Sequence, residues 1–238
     1  MTLETFQLLS PELILLTTGL VVLLVDFIWR EETPDGPKSR WVPALALVGL
    51  ALALAATRLL WGTPVTPVLA MMAVDPFALF FKVIATGTVM LVILAAVPWL
   101  RGRTPYRGEF YALLVFAALA ISLASSATDL ISIYLAMEFL SITSYVLAGY
   151  LRGDQKSNEA GIKYFLYGAV ASAAMLYGMS LLYGATGTTD LYEISRWLLA
   201  GDPAARLDWL AVAALIPLLA GFSFKIVLAP FHQWAPDT

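Results

Sequence analysis

Runs of about 20 apolar residues recur along this chain, each long enough to cross a hydrocarbon core as a helix. No other feature limits the fold as severely. Backbone N–H and C=O groups inside a bilayer must be satisfied by the protein itself, and a helix satisfies them locally. Composition points the same way: 60% of the 238 residues are hydrophobic and 13% charged, against roughly 25% charged in soluble domains. The expected class is all-α, a polytopic transmembrane helical bundle.

Seven spans are predicted: Pro11 to Trp29, Trp41 to Trp61, Pro76 to Leu100, Phe110 to Ser125, Leu130 to Leu151, Glu159 to Tyr183, and Trp209 to Ala229, where Pro230 interrupts the last. Turn residues separate them, as in Thr33 to Pro37, Gly62 to Pro64, Arg101 to Pro105 and Arg152 to Asp154. The stretch from Gly184 to Asp208 is the longest connection, and its amphipathic piece Leu191–Leu199 is expected as a short helix on the membrane surface. Two parts are expected, residues 1–108 with the first three spans and residues 109–238 with the remaining four. The first basic residue is Arg30, so the charged start of a secretory signal is missing and the first apolar run is expected to remain as a helix.

Basic residues set the expected orientation. Loops after the first, third and fifth spans carry Arg30, Lys38, Arg40, Arg101, Arg103, Arg107, Arg152 and Lys156. On the other side stand only Arg58, Arg196 and Arg206. Eight against three puts the N-terminus outside and the basic loops in the cytoplasm.

Lys82, Lys163, Lys225 and Glu138 fall inside the spans, where an ionisable group costs a few kcal/mol and marks an ion path or a pair. Helical spacing places Tyr134, Ser141 and Tyr145 on the face of Glu138, with Leu135, Leu140 and Val146 opposite. An ion path is the favoured reading over a static helix-to-helix pair. For Lys163 two readings stand level: Glu159 is four residues earlier, in the favourable order for an ion pair, and a lysine near a span end can snorkel. Lys225 precedes a proline break and His232, the arrangement a proton relay needs. Lys82, near Asp75, is read as snorkelling or structural.

The chain has no cysteine and one histidine, which excludes disulfides, thiolate nucleophiles, cysteine-bound clusters and multi-histidine metal sites. It has no Gly-rich dinucleotide fingerprint, and no nucleic-acid partner is expected.

The run from Asp129 to Tyr150 resembles the fifth helix of the antiporter-like subunits of respiratory complex I, the NADH–quinone oxidoreductases. Lys156 to Ala169, and Phe224 to Asp237, are similar to that family's lysine-bearing sixth and seventh helices. The ending and the compact N-terminal helices suggest the subunit N branch. The resemblance implies half of an inverted-repeat fold, with proton translocation coupled to quinone reduction elsewhere. It assigns proton transfer to Glu138, Lys163, Lys225 and, from the motif after the seventh helix, His232. Glu138 and Lys163 would open and close as a pair and so act on Lys225. It implies no cofactor on this chain; NADH, flavin, iron–sulfur clusters and quinone would lie on other subunits. The expected partners are other membrane subunits and the lipid bilayer, in the cell inner (plasma) membrane. Family subunits have about fourteen helices, so the second half-channel is expected to be missing here. A subunit of a cation/proton antiporter or membrane-bound hydrogenase is the alternative, and a structural membrane scaffold a second.

Overall fold

The computed structural model describes residues 3–29, 38–200 and 209–237. Arg30, Arg206, the turn at 33–37 and the end of the 184–208 connection lie outside the described residues, as does the Lys38 side chain.

Helices α1 (Leu3–Leu8), α2 (Ser10–Ile28) and α3 (Lys38–Leu59) come first. A hairpin follows, β1 (Thr66–Val68) and β2 (Met72–Val74), then α4 (Pro76–Trp99) and α5 (Arg107–Ser126). Next come α6 (Leu130–Ala148), α7 (Gln155–Thr186), α8 (Leu191–Ala200) and α9 (Trp209–Lys225), with a 3-10 turn at Ala235–Asp237. Six of these helices are long and apolar enough to cross a membrane, and α9 is a shorter apolar helix of 17 residues. At 1.5 Å per residue the 19 residues of α2 and of α6 each reach about 28 Å, close to the thickness of a hydrocarbon core. Large apolar side chains such as Leu24, Leu52, Leu91, Leu135, Val170 and Ile216 point outward. This inversion of the soluble pattern fits a surface bathed in lipid.

Starts are set by aspartates. Asp75 accepts a hydrogen bond from Ala78 N at 2.7 Å, Asp129 from Ile131 N at 2.8 Å, and Asp154 from Lys156 N at 2.9 Å. Each satisfies one of the amide donors a helix leaves open at its start. Asp75 is thus a cap for α4 and not the partner of Lys82. Gly187, left-handed at φ 72°, closes α7.

The described chain forms two compact units, Met1–Ala127 and Thr128–Thr238. In the first, α2 packs on α3 and α5, and α4 on α3 and α5. Leu8, Leu9, Leu60, Val68, Val74 and Leu79 form an apolar cluster where the hairpin and α1 meet the helix ends. The hairpin is antiparallel with Pro67 opposite Ala73.

In the second unit α7 packs on both α6 and α9. Small residues make the α7–α9 seam: a Cβ on Gly178 would meet the Ala214 carbonyl oxygen at 2.9 Å, and one on Gly221 the Ala171 carbonyl oxygen at 2.9 Å. The starts of α6 and α8 are tied together, Leu130 N donating to Thr189 O at 2.9 Å and Leu191 N to Thr128 O at 3.0 Å. Ile194 of α8 buries against Leu130, Met175 and Met179.

The last helix ends at Lys225, four residues before the predicted Ala229. Val227 is left-handed (φ 58°), with Leu228 N donating to Ser223 O at 2.8 Å and Val227 N to Phe224 O at 3.2 Å. These two bonds are the helix-closing pattern that normally places glycine at the left-handed position. The backbone therefore leaves the helix directly after the lysine, ahead of Pro230.

Candidate proton-transfer site

Three helices of the second unit bring one acid, one amine and two hydroxyls together. Glu138 sits mid-way along α6, Ser141 one turn later, Ser172 on α7, and Lys225 on the last turn of α9. Lys225 Nζ stands 3.4 Å from Glu138 Oε1, the two side chains 10% and 24% exposed. Nζ also donates to Ser141 Oγ, and to Ser172 Oγ at 3.3 Å. Ser172 in turn donates to Glu138 Oε1. Ser141 spends its own proton on the Met137 carbonyl oxygen at 2.7 Å.

The local sequence explains the convergence. Glu138, Ser141 and Tyr145 share one face of α6, while Leu135 and Val146 on the other side are exposed. Gly168 leaves room for the Tyr145 ring against α7. Gly221, one turn before Lys225, lets α9 settle onto Ala171 and Met175, the residues flanking Ser172 by one and three positions. An amine held by a carboxylate and two hydroxyls in an apolar bundle has the satisfied environment that a buried charge requires.

Lys163 is not brought to this cluster. Its Nζ lies 2.8 Å from Glu159 Oε1, with the side chains 40% and 64% exposed. Lys163 precedes Ser172 by nine residues, which turns it to the opposite side of α7 and about 13 Å along the axis. Its face continues through the exposed Tyr167, Val170 and Tyr177. His232 is exposed, in the turn after α9. That turn is anchored by Trp234, which stacks on Tyr164 with ring centroids 4.2 Å apart and packs on Phe224 at 5.1 Å. Tyr134, one turn from Glu138, lines a cavity of about 440 Å³ with Ile131, Met179, Ser180, Tyr183 and Thr189.

Ser172, Glu12 and Ser122 have places in charged clusters and were not singled out from sequence. Ser172 reads as one small residue among Gly168, Ala171 and Ala173, and only its register against Glu138 distinguishes it. Glu12 belongs to the first unit, where its Oε1 takes Lys82 Nζ at 2.6 Å and Ser122 Oγ at 2.7 Å. Following Pro11 at a helix start, Glu12 reads as a terminal acid; its burial is the missing signal.

No group of three or more His, Cys, Asp or Glu side chains suited to a metal ion occurs among the described residues. Residues 127–238 match the NADH:quinone oxidoreductase/Mrp antiporter transmembrane family. NADH-quinone oxidoreductase subunit N of Heliobacterium modesticaldum is 38% identical over 235 residues, 98% of this chain and 47% of that protein. Its counterpart in Desulfitobacterium hafniense is 40% identical, covering 97% of this chain and 45% of that one. The chain thus spans about half the length of the curated relatives it matches. Among solved structures, a chain of respiratory complex I from Thermus thermophilus superposes with a TM-score of 0.74 at 35% identity, covering 95% of this chain and 46% of that one. An archaeal membrane-bound sulfane sulfur reductase shares the fold, with a TM-score of 0.80 at 18% identity over 98% of this chain and 47% of that one.

Proposed function

Because the chain belongs to the antiporter-like subunit family of NADH-quinone oxidoreductases, we propose that it moves protons through a membrane as part of subunit N of such a complex. The observation that carries this reading is the Glu138–Lys225 pair, held between α6 and α9 with two hydroxyls in reach.

The chain's own work is electrostatic. With Glu138 ionised, Lys225 is held as an ammonium. A change of field elsewhere in the complex shifts the balance between this ion pair and its neutral form, in which the ammonium has passed its proton to the carboxylate; neither form leaves a buried charge without its counter-charge. Reversal of the field restores the ion pair. Ser180, Tyr183 and Thr189 join Tyr134 as the polar residues of an otherwise apolar cavity that begins one turn from Glu138. The exposure of His232 beyond α9 supports a step in which it exchanges a proton with water. Lys163, held by Glu159 at the start of α7, serves a separate step: it reaches Glu138 only if α7 turns.

In this reading the partners are the other membrane subunits and the bilayer, with the N-terminus outside a bacterial plasma membrane. NADH, flavin, iron–sulfur clusters and quinone are bound by those other subunits, and the chain contributes to a translocase without a redox centre of its own. Replacing Glu138 with Gln and Lys225 with Met together tests it. An assembled complex that reduces quinone and acidifies vesicles at the wild-type rate contradicts the proposal. The matched family also includes Mrp antiporters, so cation/proton exchange is the second reading; sodium-dependent acidification would favour it.

A further inference from the structure

The two serines of the cluster differ in where their own protons point, and we infer that Ser172 Oγ is the atom through which a proton passes between Lys225 and Glu138. The inference rests on the proton-carrying role proposed for that pair.

Lys225 Nζ and Glu138 Oε1 are 3.4 Å apart, and Ser172 Oγ touches both of them, accepting from Nζ at 3.3 Å and donating its own proton to Oε1. Ser141 accepts from the same ammonium, but its hydroxyl proton is committed to the Met137 carbonyl oxygen one turn back on its own helix. A backbone carbonyl has no proton to hand on, so Ser141 holds Lys225 in place and offers it no exit.

A hydroxyl donates and accepts at once, which lets it relay a proton without gaining one. An N–H bond breaks at Nζ as an O–H bond forms at Ser172 Oγ. The O–H that pointed at Glu138 breaks as an O–H bond forms at Oε1. Amine and carboxylic acid are then both neutral, the serine is restored, and no electron has changed owner. The net charge of the pair stays zero throughout, which matters because an unpaired buried charge costs several kcal/mol. Rotation of the serine hydroxyl resets the relay.

The fold holds this hydroxyl in place. Ser172 is 4% exposed. One turn before it Gly168 seats the Tyr145 ring of α6, and on its other flank Gly221 of α9 closes onto Ala171 and Met175. Close approaches on both sides set the α7 backbone where Oγ meets both partners.

The test uses the complete oxidoreductase in sealed vesicles, with quinone reduction and acidification followed together after assembly is confirmed. Ser172→Ala removes one oxygen atom and should slow coupled proton release by roughly a hundredfold, the low end of what a positioned proton carrier contributes. Ser172→Thr should keep most of the activity, and Ser172→Val, the same shape without the hydroxyl, should lose it. If Ser172→Ala fails to assemble, the Thr and Val variants decide, since any crowding is common to both. Wild-type acidification in Ser172→Ala or in Ser172→Val, beside an inactive Glu138→Gln/Lys225→Met complex, overturns the relay and leaves the pair's role standing. Wild-type acidification in that double variant as well defeats both readings.

Discussion

Lys82 Nζ sits 2.6 Å from Glu12 Oε1, and the two side chains are only 2% and 6% exposed. This pair in the first unit is drier than the one joining Glu138 to Lys225. Ser122 donates to the same carboxylate oxygen, while Glu12 Oε2 is buried without a hydrogen-bond partner among the described residues. Removing one charge strands the other, so Glu12→Gln is expected to cost about 3–5 kcal/mol. The double variant Glu12→Gln/Lys82→Met should recover most of that loss. Thermal melting of the purified protein in detergent separates the two; equal melting temperatures for the single and double variants would show the pair to be uncoupled.

The α7–α9 seam makes a second prediction. Gly221 leaves no room for a side chain against Met175 and the Ala171 carbonyl oxygen. Gly221→Val should destabilise the fold by about 1–3 kcal/mol through overpacking and push α9 outward one turn before Lys225. Coupled proton release should fall in parallel with stability. Gly87, inside α4 with open space around its Cβ position, is the control: Gly87→Ala should stabilise the fold by about 1 kcal/mol or less and leave coupled proton release unchanged.

Val227 supplies a third. A β-branched residue in the left-handed region costs about 1–2 kcal/mol, and Val227 adopts φ 58° where the helix closes. Val227→Gly should therefore raise the melting temperature, by an amount equivalent to roughly 1 kcal/mol or less once the greater freedom of glycine in the unfolded chain is included. A fall would mean that side-chain packing of Val227 outweighs its backbone strain.

The spans, Glu138 and Lys225 were legible because a charge inside an apolar run stands out in one dimension. Lys163 and Glu159 were legible as a pair because helical spacing of four brings them together without tertiary help. What the sequence hid depends on the third dimension. Which lysine faces Glu138 is decided by the α7–α9 seam, which turns Ser172 inward and Lys163 outward. The early end of α9 was hidden because Ile226, Val227 and Leu228 read as helix, and nothing in their chemistry announces a left-handed valine. Lys82 gave no sign of its partner, since Glu12 lies 70 residues away and Asp75, the nearer acid, is spent on capping α4. The hairpin before α4 was invisible at three residues per strand.

Isolating the contribution of Ser141 tests the division of labour within the cluster. Ser141→Ala removes a hydroxyl that holds the ammonium and cannot pass its proton on. Proton release should slow less than in Ser172→Ala, with the same number of protons moved per quinone reduced. A loss as deep as that of Ser172→Ala would show that both hydroxyls carry protons.

The most direct test of the central claim is Lys225→Ala in vesicles carrying the full complex, with NADH-driven quinone reduction and acidification recorded side by side after assembly is verified. The account predicts loss of acidification, alone or together with quinone reduction, in an intact complex. Wild-type values for both would make Lys225 a structural lysine and contradict the account.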